Sequence, residues 1–288
     1  MLDSLSKSYY LSIMNKLPIE KRVQIINLLV EGNSLRATSR LADVSINTVT
    51  KLLVNVGRAC DKFHSEQVRE VTTKRIQCDE IWSFVYSEQK NVPEGMDEVA
   101  SDVWTWVGID ADTKLVVSWL VGGRDADSAN AFMNDVAFRL KNRVQLTTDG
   151  LKAYLDAVTD SFGSQIDFAQ LVKIYGGSEG NTTTERKYSP AVCTGCNKNT
   201  VSGNPDPKHV STSYVERQNL TMRMPMRRFT RLTNGFSKKI ENHCHAIALH
   251  FVFYNFVKLH KTLRVTPAMA AGITKRFMTI EDVVRLAD

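Results

Sequence analysis

The stretch Ile76-Gln77-Cys78-Asp79-Glu80-Ile81-Trp82-Ser83-Phe84-Val85-Tyr86 is rich in apolar and aromatic residues and carries two adjacent acids near its middle. A run of this length and composition reads as a β-strand. A charged group between apolar neighbours on a strand is costly unless it is paired or bound to a cation. Asp79 is therefore a candidate metal ligand. Glu80 is its rival, because consecutive strand residues face opposite sides of a sheet and only one of the two is expected to reach a shared site.

Downstream, two apolar runs at 102–110 and 114–122 are joined by Ala111-Asp112-Thr113 and read as a hairpin, so three antiparallel strands are expected. Residues 127–142 place Ala131, Phe132, Val136 and Leu140 on one helical face, and a short strand at 144–148 then ends in Asp149-Gly150. A helix at 151–162 and a strand at 168–174 continue the order. The fold class this predicts is α/β: a mixed sheet with helices packed on it. Asp149 stands at the C-terminal end of its strand, where ligand sites gather in such sheets. Glu216, in Ser213-Tyr214-Val215-Glu216-Arg217-Gln218-Asn219, falls on a helix expected over 213–224 and adds a third carboxylate. Three carboxylates form a hard-oxygen site for Mg²⁺ or Mn²⁺. Two such ions about 4 Å apart activate a water or a 3′-hydroxyl and stabilise the leaving oxygen at phosphorus.

Residues 175–209 hold five of the fifteen glycines and three of the seven prolines. A segment of this kind reads as a loop-rich insertion, an active-site or DNA-contacting flap. Upstream of the sheet, Pro18-Ile19-Glu20 opens a helix bearing Val23, Ile26, Leu29 and Val30, while Ser34 and Ser45 cap two more. The last two helices, joined by Asp43-Val44, form a candidate helix-turn-helix. Its second helix would turn Asn47, Thr48, Thr50 and Lys51 to DNA and Val49 and Leu52 inward; a three-helix bundle for protein contacts has the same pattern. The expected organisation is a helix-turn-helix domain at 1–60, a linker or helix extension at 61–72, a catalytic domain at 73–272 and a tail at 273–288.

The 288 residues carry 37 Lys and Arg against 31 Asp and Glu, a net charge of +6 that favours a polyanionic partner. Between 217 and 240 stand Arg217, Arg223, Arg227, Arg228, Arg231, Lys238 and Lys239 with no acid, an expected phosphate-binding track. Asn219 and Arg223 lie at i+3 and i+7 from Glu216 and so share its helical face. Pro225 should end or kink that helix. The five scattered cysteines suit a reducing cytoplasm, and no stretch approaches the roughly 18 apolar residues of a membrane span. Cys193-Thr194-Gly195-Cys196 with His209 offers three zinc ligands where structural zinc wants four. His243, His245 and His250 are expected to be packed or surface residues of a long helix at 237–259.

Three segments together resemble the acidic blocks of transposases of the insertion-sequence-one family: Gln77-Cys78-Asp79-Glu80-Ile81-Trp82-Ser83-Phe84, Thr147-Thr148-Asp149-Gly150 and Ser211-Thr212-Ser213-Tyr214-Val215-Glu216-Arg217-Gln218-Asn219. The resemblance covers roughly residues 20–272. It implies a ribonuclease-H-like fold with a DDE triad of Asp79, Asp149 and Glu216, two Mg²⁺ or Mn²⁺ ions, and nicking and joining of double-stranded DNA at element ends by a homo-oligomer. Position in the motif favours Asp79 over Glu80, which is left a salt bridge on the other face. Tyr254-Asn255-Phe256-Val257-Lys258-Leu259-His260-Lys261-Thr262-Leu263-Arg264, followed by Thr266-Pro267, is similar to the C-terminal signature of such enzymes. Here Lys258-Leu259 stands where an Arg-Pro pair is commoner. A nuclease of the same fold and a DNA-binding regulator derived from a transposase are the alternative functions.

Overall fold

The computed structural model describes residues 16–92, 101–176, 193–230 and 235–288. Three helices come first: α1 (Ile19–Val30), α2 (Leu35–Leu41) and α3 (Ile46–Gln67). Ser34 and Ser45 cap α2 and α3 by accepting hydrogen bonds from the amides of Ala37 and Thr48, each satisfying a first-turn N–H that has no partner inside its helix. Asp43 adopts φ +48° in the turn between them.

Helix α3 does not stop at residue 60. Its buried stripe of Val49, Leu53, Val56, Gly57, Cys60 and His64 recurs at helical spacing down to Gln67, so 61–67 extend the helix instead of linking two units. A polar residue hides that continuation: His64 is 1% exposed, its Nε2 lying 3.1 Å from the Val116 carbonyl. Ile26, Leu53, Val56 and Cys60 belong to the same apolar core as the sheet.

The sheet has six strands in the order β3-β2-β1-β4-β5-β6: β1 (Arg75–Val85), β2 (Ser101–Asp110), β3 (Val116–Gly122), β4 (Val144–Thr148), β5 (Ile166–Tyr175) and β6 (Cys193–Ser202). β1, β2 and β3 form the expected antiparallel meander, and β4 and β5 run parallel to β1. Helices α4 (Ala126–Arg139) and α5 (Ala153–Phe162) connect β3 to β4 and β4 to β5. Asp125 starts α4 by accepting from the Ser128 amide. The ring of Trp106 on β2 packs against Phe132 of α4 and Tyr154 of α5, with centroids 5.9 and 5.3 Å away.

Residues 193–202, expected inside a loop-rich insertion, form the edge strand β6, antiparallel to β5. Nearly every residue of β6 is exposed. Backbone pairing alone therefore makes this strand, without the apolar alternation that announces a half-buried one. Residues 177–192 of the expected flap lie outside the described residues.

Helix α6 (Ser213–Arg223) packs on β1, and α7 (Ile240–Val252) lies along α3. There a Cβ on Gly57 would stand 2.5 Å from the His245 carbonyl oxygen. The long helix expected to reach 259 instead passes into a π-helical turn, Phe253–Val257. That turn carries the fully buried Asn255, which accepts from the Val116 amide at 3.0 Å and donates to the Val116 carbonyl at 2.8 Å. Short helices α8 (Pro267–Ala270) and α9 (Ile280–Arg285) close the chain. Among the described residues no helix is long and apolar enough to cross a membrane.

Candidate metal centre

The register of β1 against β4 opens a site. The two strands pair from Arg75↔Gln145 to Cys78↔Thr148, where β4 ends while β1 runs on beside β2 to Phe84, its other edge next bridged at Val85 by Ser237. Asp149 follows the last pair directly, and Asp79 and Glu80 border the gap left by the departing chain. One oxygen from each of Asp79, Glu80 and Asp149 lies within 4.8 Å of the others. The expectation that only one of the two adjacent acids reaches the site is corrected here. Their side chains do leave opposite faces of β1, but past the end of β4 no strand separates those faces, and both meet Asp149. Glu80 also makes the salt bridge expected of it, with Arg124 Nε 3.2 Å from its Oε2.

Burial raises the pKa of Asp79 to about 7, helped by the negative charges of Asp149 and Glu216. The Glu80 pKa is also raised to about 7, by burial first and Asp149 second. Both shifts record crowding of negative charge in a poorly hydrated place. The side chain of Glu80 is 1% exposed, and the buried Tyr154 hydroxyl beside it partly offsets the cost of its charge. An all-oxygen donor set and the mutual repulsion of crowded carboxylates together fit a hard divalent cation such as Mg²⁺ or Mn²⁺. Among the described residues this is the one convergent group of three or more His, Cys, Asp or Glu. Cys193 and Cys196 are exposed on β6, and His209 pairs with Arg75, so the three possible zinc ligands are not assembled.

Glu216 lies beside this group. Its Oε1 is 2.5 Å from Lys173 Nζ of β5 and accepts a hydrogen bond from Thr212, and its charge contributes to the raised pKa of Asp79. A residue that sequence reading missed seats the helix beneath it. Gln77, 3% exposed and two residues before Asp79, accepts from the amides of Tyr214 and Val215 at 2.8 and 3.2 Å and so caps α6. Asn219, expected on the DNA track, is instead buried, and its Nδ2 donates to Asp79 Oδ2 at 2.9 Å. Arg228 is half-buried, its guanidinium donating to Ser237, and burial lowers its pKa to about 10. Arg217, Arg223, Arg227, Lys238 and Lys239 are exposed, as are Asn47 and Lys51 on the first turns of α3, with Thr48 half-buried beside them. Arg231 lies outside the described residues.

The chain matches no protein-family model and no curated protein, so the narrower likeness to the insertion-sequence-one family rests on the motifs alone. Among solved structures it is similar to a "Mos1 transposase paired-end complex with left transposon end", at 13% identity and a TM-score of 0.23, over 54% of this chain and 59% of that one. It is also similar to the "Mos1 Strand Transfer Complex", at 13% identity and a TM-score of 0.23, over 82% of this chain and 78% of that one. The chain thus spans less than two thirds of the first of these, and at such TM-scores neither likeness adds to the geometry above.

Proposed function

We propose that the protein is a metal-dependent DNA transposase with a ribonuclease-H-like catalytic unit, which nicks double-stranded DNA at element ends and joins the freed 3′-hydroxyl to target DNA. The observation that carries this reading is the convergence of Asp79, Glu80 and Asp149 beside a strand end, with the Glu80 carboxylate buried and Glu216 alongside. Motif order and the mixed sheet flanked by helices support it.

In this reading Asp79 and Asp149 would hold divalent cations, Glu80 would supply a further oxygen, and Glu216, paired with Lys173, would join them on release from that lysine. A divalent cation held by these carboxylates would supply activation of the attacking water or 3′-hydroxyl and stabilisation of the leaving oxygen. Asn219 fixes the rotamer of Asp79, and Gln77 fixes the start of α6, so the acids stay directed at the gap through Glu216. The exposed Arg217, Arg223, Arg227, Lys238 and Lys239 bind phosphates leading to the gap, while Asn47, Thr48 and Lys51 read duplex DNA from α3.

The test is incubation of the full chain with labelled DNA carrying the ends that flank its own gene, plus a target plasmid and Mg²⁺. Nicking at the ends and covalent joining to the plasmid are expected, both lost in Asp79→Asn. Nicking without joining would make the protein a nuclease, and end binding without either reaction would make it a regulator.

A further inference from the structure

Arg124 stands in the short connection between β3 and α4 and reaches into the candidate centre from the Glu80 side. Its Nε donates to Glu80 Oε2 at 3.2 Å, and its Nη2 lies 3.7 Å from Asp149 Oδ2. The guanidinium carbon sits 4.7 Å from the centroid of the Trp104 ring. One side chain thus spans two of the three converging carboxylates and rests on an aromatic face. The chain turns tightly on either side of it: a Cβ on Gly123 would have to displace the carboxylate of Asp125, the residue that caps α4. The Arg124 side chain is 39% exposed while that of Glu80 is 1% exposed, so the cation has a path to solvent that the acid lacks.

We propose that Arg124 is the counter-ion a divalent cation displaces from Glu80 and Asp149, and that the freed guanidinium, still seated on Trp104, takes a phosphate oxygen of DNA bound beside the carboxylates. This rests on the metal-dependent reading above. A guanidinium and a divalent cation repel each other and compete for the same carboxylate oxygens, so binding one weakens binding of the other. The planar fork has five N–H donors, and a phosphate offers it the same bidentate geometry as a carboxylate. The Trp104 ring holds the cation over a negative π face whichever partner it takes.

The experiment is a Mn²⁺ titration of the full chain without DNA, read by the EPR signal of free Mn²⁺, on wild type, Arg124→Gln, Arg124→Lys and Asp149→Asn. Arg124→Gln is expected to bind Mn²⁺ about tenfold more tightly than wild type, as loss of one nearby positive charge implies. Arg124→Lys should fall between the two, and Asp149→Asn should bind much more weakly. Duplex DNA binding is then measured against salt with Ca²⁺ present and with EDTA. With Ca²⁺, Arg124→Gln should flatten the log–log salt slope by about one; with EDTA the slope should match wild type. Equal or weaker Mn²⁺ binding by both Arg124 variants, or an unchanged slope in Ca²⁺, overturns the proposal. Should Arg124→Gln fail to fold by thermal melt, the charge-conserving Arg124→Lys decides by the same measurements. Wild type that takes up no Mn²⁺ refutes the metal reading itself, whereas Mn²⁺ uptake lost in Asp149→Asn and unaltered in the Arg124 variants refutes this inference alone.

Discussion

Asp149→Asn should make the metal-free protein more stable and remove its response to Mg²⁺. Asp149 adds its negative charge to the half-buried Asp79 and the buried Glu80, each with a pKa raised to about 7. Two unit charges 4 to 5 Å apart at an effective dielectric constant of about 20 repel by roughly 3 to 4 kcal/mol. Asp149 is itself partly solvated, which reduces that figure to about 1 to 2 kcal/mol per neighbour. Losing its contact with Arg124 costs at most about 1 kcal/mol, since such half-exposed pairs are weak. Asn retains an Oδ1 to accept from the Leu151 amide, now 3.0 Å from the Asp149 carboxylate, so the turn after β4 is kept. The net gain is about 2 kcal/mol, or roughly 5 °C in melting temperature for a protein of this size.

The pH dependence has a definite sign. A carboxyl whose pKa is higher in the folded than in the unfolded state destabilises the fold once it must ionise, so stability is lost as pH rises from about 4 to above 7. The advantage of Asp149→Asn should therefore be full at pH 8 and shrink towards pH 5, where Asp79 and Glu80 are protonated. The assay is thermal melting of wild type and variant at both pH values, in EDTA and in saturating Mg²⁺. Wild type should rise in Mg²⁺ and the variant should not. A variant melting at or below wild type in EDTA at pH 8, or one with the wild-type Mg²⁺ shift, would show that the three acids do not form one repulsive, cation-binding group.

Glu216→Gln is expected to abolish nicking while leaving end binding and melting temperature within about 1 kcal/mol of wild type, because Gln keeps the size and helix propensity of Glu and the lost pair with Lys173 is half-exposed; near-normal nicking would remove Glu216 from the machinery. Arg223→Ala should weaken DNA binding and lower the salt slope by about one. Arg228→Ala should instead lower the melting temperature, through its contact with Ser237, and leave that slope unchanged; a gel-shift salt series beside a thermal melt separates the two. Gln77→Ala leaves the amides of Tyr214 and Val215 without their acceptor, a cost of about 1 to 3 kcal/mol. It should reduce nicking more than DNA binding, and equal losses in both would argue that Gln77 serves stability alone.

The fold was legible wherever one face of an element is buried and the other wet. The meander, both crossover helices and the serine-capped N-terminal helices announce themselves through periodicity and caps. One element escaped because its stabilisation is not periodic, and at 61–72 the sequence left linker and helix extension both open. β6 is held by backbone pairing with β5 at an exposed edge, and its Cys, Thr, Asn and Ser side chains look like those of a loop. The second half of α3 is buried through His64, which counts as polar in the sequence and is apolar in effect. Burial lowers its pKa to about 3, so it remains a neutral ring at ordinary pH, packed at a tilt against Trp119 with centroids 4.3 Å apart. No reading of hydrophobic spacing recovers a histidine used in this way.

At the candidate centre the division follows a different line. Asp79 and Asp149 could be picked out because an acid amid apolar strand residues, or at a strand end, is locally anomalous, and their neighbours in sequence show it. The alternation rule allowed only one of Asp79 and Glu80 to reach the site, and motif position left Glu80 on the far side; the rule holds for direction and fails for reach. That rule supposes a neighbouring strand between the two faces, whereas β4 ends at Thr148, opposite Cys78. The length of β4 relative to β1 is a property of pairing register, fixed by contacts between segments some 70 residues apart, and no local pattern encodes it. Arg124, Lys173 and Gln77 escaped for the same reason: each acts on an acid or an amide more than 40 residues away, and in its own segment each looks like an ordinary surface residue. Asn219 shows the converse. Helical spacing correctly placed it beside Glu216, but only the packing of α6 on β1 turned its amide to Asp79 and away from a phosphate. Spacing within an element tells which residues share a face, and the partner element decides what that face does.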